Sequence, residues 1–153
     1  MEKIKKKSAR LSAKDYALYL LSLRLRTSGD LRQKMQQKGY SDAEVVDVIT
    51  RLTDLAFLND AQFAQIYFEN LVKYKLFGYF GIKKKLLEKK VPIAVVERLL
   101  RGFSLAAELA IARRVLARSK GKSREQLVRA LVSKGFRSEV VFKATRVNPE
   151  AVD

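Results

Sequence analysis

The chain has 153 residues, 48% of them apolar, enough for a core but silent on whether it is one domain or an array of small ones. It contains neither Cys nor His, which excludes disulfides, thiolate and imidazole metal sites, and the common nucleophile and general-base pairs. A formal charge of +16 suits polyanions or an acidic protein surface, the competing reading being a basic surface that is merely solvated.

Residues 1–11 form a lysine-rich arm with little to bury, expected to be disordered. The apolar run from Tyr16 to Leu23 is broken by Arg24 and Arg26. No stretch approaches the roughly 20 apolar residues that a bilayer requires, so a soluble, cytoplasmic protein is expected. A first helix should start near Ser12, where S-x-x-D resembles a capping box, and run to about Arg26. Its apolar residues occupy two sides, Tyr16, Tyr19, Leu20 and Leu23 on one and Leu18, Leu21 and Leu25 on the other, as in a helix buried between neighbours or covered by a partner. Asp30 can cap a helix from Leu31 to Lys38, Gly39 stops it, and Ser41 to Glu44 is a capping box opening a helix through Leu52.

A second set of helices begins at Asn59-Asp60 and runs to about Tyr74, with Phe63, Tyr67, Leu71 and Tyr74 on one stripe. An irregular KLFGYFG segment follows, then a helix from Ile82 to Lys89. Lys90-Val91-Pro92 turns the chain into a helix ending at Leu100, with proline well placed in its first turn. A third set opens at Ser104, with Leu105, Leu109, Ala112 and Leu116 as its apolar stripe. It crosses a solvated loop from Ser119 to Ser123 and continues as Leu127 to Lys134, Gly135-Phe136 and a last helix near Ser138 to Val147.

These sets align. Placing Leu31 over Ile82 and Leu127 puts Met35 over Leu86 and Leu131, Tyr40 over Val91 and Phe136, and Val45 over Val96 and Val141, at spacings of 51 and 45 residues. No period-2 strand run occurs. The predicted fold is therefore all-α, an elongated, curved tandem array of three three-helix, helix-turn-helix-like repeats. The expected boundaries are an arm over 1–11, repeats over 12–55, 56–103 and 104–148, and a tail over 149–153.

Charge divides these segments. Residues 1–30 carry 8 basic and 3 acidic side chains, 31–60 carry 4 and 5, 61–90 carry 7 and 2, and 91–153 carry 13 and 6. The helix from Asp42 to Leu52 opens on Asp42, Glu44 and Asp47 and would be repelled by phosphate, which argues against groove reading by the first repeat. The third, with Arg137, Lys143 and Arg146, is less excluded. Between Lys73 and Lys85, cations alternate with rings, a combination used on single-stranded nucleic acid. Lys73, Lys75, Tyr79 and Phe80 are candidates there, with Tyr79 and Phe80, between glycines, expected to be exposed and the other rings core. With Ile82, Leu86 and Leu87 facing inward, Lys84 points outward and Lys85 and Lys89 flank it. Arg114 and Arg118 point outward together, and Lys120 and Lys122 follow in the loop. Catalytic, metal and cofactor sites are expected to be absent. The remaining carboxylates sit mostly in first turns, where capping explains them, so no enzyme is expected.

The R-x-R-T-x-x-D-L run from Arg24 to Leu31, the KGY turn at Lys38 to Tyr40 and the LNDAQFAQIY run at Leu58 to Tyr67 resemble the RecX family of bacterial regulators of the RecA recombinase. The resemblance covers about residues 14–147, although Lys90 stands where the family has Gly and Phe80 where it tends to have Pro. It implies three tandem three-helix repeats that bind RecA and its nucleoprotein filament and usually inhibit the recombinase. A monomer touching filament-bound or single-stranded DNA only weakly on its own is expected. The alternative is an autonomous nucleic-acid-binding module with no recombinase partner.

Overall fold

The computed structural model describes residues 10–147; most of the basic arm, and the tail over 149–153, lie outside the described residues. Those described form nine α-helices and one π-helical turn, with no strand among them. The chain divides into two compact units, one ending at Asp60 and the other beginning at Ala61.

The first unit holds α1 (Ala13–Leu23), α2 (Ser28–Lys38) and α3 (Asp42–Asp54). Its core includes Ala17, Leu20, Leu31, Met35, Tyr40, Val45 and Leu52. Helix α1 stops at Leu23, short of the predicted Arg26, because Arg26 folds back as a cap. Its Nε donates to the Leu20 carbonyl at 3.2 Å and its Nη1 to Asp30 at 2.9 Å. Asp30 is therefore not the cap of α2. Thr27 fills that role, accepting from the Asp30 N–H at 3.1 Å, and the helix opens at Ser28, whose N–H and hydroxyl both donate to the Asp60 carboxylate. Nor is α1 buried all round. Ala13, Ala17 and Leu20 face the core, while Tyr19, Leu23 and Leu25 are more than half exposed.

The second unit holds α4 (Asp60–Asn70, whose first residue closes the preceding unit), a π-helical turn (Leu71–Lys75), α5 (Tyr79–Glu88), α6 (Ile93–Arg101), α7 (Leu105–Ala117), α8 (Arg124–Ser133) and α9 (Ser138–Thr145). One continuous core runs through them, including Ile82, Leu86, Val96, Phe103, Ile111, Leu131 and Val141. Four expectations shift here. The π turn holds more residues per turn than an α-helix, so Tyr74 leaves the Phe63, Tyr67 and Leu71 stripe and stands 63% exposed. Helix α5 starts at Tyr79, three residues before the expected Ile82. Pro92 is the cap of α6 rather than a residue of its first turn. The buried row of α7 is Glu108, Ile111, Ala112 and Val115, with Leu105, Leu109 and Leu116 half-buried beside it. Pattern reading passes over that row because it contains a carboxylate.

The aligned repeat positions share one environment. Of the twelve, all are buried except Leu127, which is half-buried. The turns between second and third helices share one hydrogen-bond pattern. Gly39 and Tyr40 donate to Gln36 and Met35, Lys90 and Val91 to Leu87 and Leu86, and Gly135 and Phe136 to Val132 and Leu131. This is the Schellman arrangement, and it requires a left-handed residue. Gly39 and Gly135 supply it at φ of 98° and 82°, whereas Lys90 is forced to 62°.

Candidate partner-binding surface

The position of α5 depends on one buried carboxylate. Gly78, the cap residue of α5, and Arg137, that of α9, have no capping side chain of their own. Glu108, fully buried on α7, serves both ends. Its Oε1 accepts from the Tyr79 N–H at 3.0 Å and the Arg137 N–H at 2.9 Å, and its Oε2 accepts from Arg137 Nε. Arg137 also donates to the Phe103 carbonyl at 3.1 Å and lies over the Tyr79 ring, 4.5 Å from its centroid. A carboxylate at two positive helix ends, paired with a guanidinium, leaves no buried side-chain N or O without a partner among the described residues.

Beside it, backbone crosses backbone. Gly78 and Phe80 donate to the Lys134 and Gly135 carbonyls at 3.0 and 2.8 Å. A Cβ on Gly81 would lie 2.2 Å from the Lys134 oxygen, and one on Gly135 2.0 Å from the Gly81 nitrogen. These glycines let the start of α5 sit directly against the turn between α8 and α9.

Cations gather around the π turn. Arg114 donates to the Lys73 carbonyl at 3.0 Å and approaches that of Val72 at 3.5 Å, while Lys134 donates to the Lys75 carbonyl at 3.2 Å. They occupy carbonyls at the negative end of the α4 and π-turn segment, where cations are favoured. Lys85 and Lys134 both approach the Phe77 ring, at 5.8 and 5.3 Å. Lys73, Lys75, Arg114 and Lys85 are thus brought together, but Arg114 is partly engaged in holding the turn. Lys85 is further tied to Glu88 at 3.6 Å, and Lys89 lies over Tyr67 at 5.7 Å.

Lys84, Arg118, Lys120 and Lys122 are exposed and have no ion pair among the described residues. The expected pair of exposed rings separates: Phe80 is 56% exposed, but Tyr79 is half-buried beneath Arg137. Leu87 does not face inward as its spacing suggested; it is 41% exposed, one position past the buried row of Ile82 and Leu86. Of the three cations named for groove reading by the third helical set, Arg137 is bound to Glu108 and Lys143 pairs with Glu139 at 3.0 Å, while Arg146 is exposed.

Sequence reasoning missed Leu87, Lys83 and Lys134. Leu87 and Lys83 line a concavity with Phe80, Lys84 and Glu88, of about 490 Å³. Nothing in the sequence signals that Lys134 reaches a carbonyl 59 residues away. Overall, residues 61–153 carry 20 basic and 8 acidic side chains, against 12 and 8 in residues 1–60.

Among known families, the model of the first three-helix domain of RecX matches residues 13–52. The regulatory protein RecX of Prosthecochloris aestuarii is 30% identical over 129 residues, covering 82% of this chain and 85% of that one. Its counterpart in Geobacillus kaustophilus is 28% identical over 133 residues, covering 82% of this chain and 49% of that one, so this chain spans about half the length of that relative. The crystal structure of RecX from Lactobacillus salivarius superposes with a TM-score of 0.78 at 20% identity, covering 88% of this chain and 92% of that one. A second crystal structure, of a regulatory protein RecX, gives 0.75 at 20% identity, covering 88% and 71%.

Proposed function

Because the chain belongs to the RecX family of regulatory proteins, we propose that it binds the RecA recombinase and its nucleoprotein filament and lowers recombinase activity. It acts as a cytoplasmic monomer and not as an enzyme. The observation that carries this reading is the family itself, whose members named here are regulatory proteins. Two features support it. The second unit concentrates positive charge, as a surface facing a DNA-bearing filament requires. Its exposed cations Lys73, Lys75, Lys84, Arg118, Lys120 and Lys122 can neutralise phosphate or acidic protein groups, whereas Lys85, Lys89 and Arg114 contribute less because local contacts engage them. Repeat boundaries near residues 12, 56 and 104 belong to the same proposal.

The test is ATP hydrolysis or strand exchange by the cognate recombinase with sub-stoichiometric amounts of this protein. A fall in either rate is expected, and no change at any ratio overturns the reading.

A second reading, an autonomous nucleic-acid module, is favoured by Tyr74, which is 63% exposed with Lys73 5.1 Å from its ring centroid. Ring and cation together suit an unpaired base and its phosphate. Salt separates the two readings. Phosphate binding alone weakens steeply between low and physiological ionic strength, whereas a filament complex with apolar contacts persists. Tight DNA binding at physiological salt without recombinase reverses the ranking.

A further inference from the structure

We infer that the outer face of α5 is a shallow, open docking surface for a segment of the partner protein that presents an apolar side chain flanked by carboxylates. The inference rests on the reading of the chain as a recombinase-binding regulator and names the surface and chemistry of that contact. Phe80 and Leu87 are 56% and 41% exposed. Seven residues apart on one helix, they lie on the same side, about 10 Å apart along the axis. Lys84 stands between them, Lys83 beside it, and together with Glu88 these side chains line the concavity of about 490 Å³.

The charges distinguish this face from the rest of the helix. Lys85, toward the π turn, is held by Glu88 at 3.6 Å and faces Phe77. Lys83 and Lys84 have no ion pair among the described residues. Two uncompensated ammonium groups beside two exposed apolar side chains complement an apolar anchor between acidic residues.

Single-stranded nucleic acid fits less well. A base needs a flat π-face, and this surface offers one ring, already packed edge-to-face against Tyr79 at 5.2 Å. Leu87 has no π-face. The face is also held rigidly, since the first turn of α5 is fixed by Glu108 and by the glycine crossing. A preorganised surface loses little ordering entropy on binding.

The experiment titrates the labelled full chain with cognate RecA filament on single-stranded DNA and, separately, with the same DNA alone. The double variant Phe80→Ser/Leu87→Ser should keep its thermal midpoint and lose about tenfold or more in filament affinity, with DNA affinity unchanged. Should that variant fail to fold, the single, charge-neutral Leu87→Gln, at a 41% exposed position, is expected to give the same selective loss. Replacing Leu87 with a photoreactive benzoylphenylalanine should crosslink to a recombinase peptide bearing Asp or Glu beside an apolar residue.

Equal losses on filament and bare DNA, or crosslinking to DNA, mark a nucleic-acid surface and overturn the inference. Unchanged filament affinity in the folded variants overturns it too, while leaving the regulatory reading intact. A wild-type chain that does not bind the filament overturns both.

Discussion

The two units are built from the same three-helix pattern but held in different ways. In the first, each helix has a local side-chain cap: Ser12 accepts from Asp15, Thr27 from Asp30, and Ser41 and Glu44 form a reciprocal box, with Asp60 adding a more distant acceptor at the start of α2. In the second, Gly78 and Arg137 stand at positions equivalent to Thr27 and Ser41 and cap nothing with their side chains; Glu108, on α7, does both jobs. A locally capped unit tolerates the loss of any one cap, whereas a unit whose two helix starts share one carboxylate depends on that group. The difference also bears on function. The second unit carries the larger positive charge, and its tertiary junction holds α5 where cations and exposed apolar groups meet.

Five experiments can break or sharpen this contrast, their effects on stability read by amide hydrogen exchange, which reports the two units separately. The largest effect should come from Gly81→Ala. Its Cβ would fall 2.2 Å from a backbone oxygen that cannot swing away, so about 4 kcal/mol or more of the second unit's stability should be lost. Gly39→Ala, in the first unit, meets nothing closer than 3.8 Å and bears only its left-handed φ, about 1 kcal/mol. Similar losses from the two would undo the contrast.

Next comes Glu108→Ala. It leaves Arg137 without its partner and two N–H groups without an acceptor, at about 3 kcal/mol. Exchange at Tyr79 and Arg137 should accelerate first, and unchanged protection there would show that the junction does not hold the helix starts. Removing a local cap should cost less. Thr27→Ala or Ser41→Ala is expected to lose about 1 kcal/mol, confined to the first unit.

Lys90→Gly should move the other way. Relieving a left-handed lysine at φ of 62° stabilises the second unit by about 1 kcal/mol, less whatever glycine gains in the unfolded chain. A loss of stability would mean that the Lys90 side chain makes a compensating contact. Smallest of all, Lys120→Glu/Lys122→Glu should change stability by less than about 0.5 kcal/mol, because both residues are exposed. The same pair should weaken filament binding at low salt, and an equal affinity at every salt concentration would remove the loop from the contact surface.

The segments that carry the family resemblance serve the fold, chiefly of the first unit, with Phe63, Ala64 and Tyr67 packing in the core of the second. Arg26, Thr27 and Asp30 close α1 and open α2, while Leu58 is core and Asp60 binds the start of α2. That explains why sequence reading reached the family through residues that touch no proposed partner. The cations were visible as types but not as a set. Nothing local distinguishes Arg114, spent partly on the Lys73 carbonyl, from Lys84, which has no ion pair among the described residues. Leu87 was assigned to the core because its spacing is one residue from the buried row, a difference that only packing resolves.

By itself the sequence determined the helical repeat, since the aligned apolar positions, the Schellman turns and the serine caps all act within about one helical turn. Only the tertiary structure decided which groups those local rules leave to distant partners. Glu108 reaches Tyr79 and Arg137 across 29 residues on either side, and Gly81 meets Lys134 and Gly135 through bare backbone. Such contacts leave no periodic trace, because a buried charge or an absent side chain is chosen by what lies against it in space and not by its neighbours along the chain.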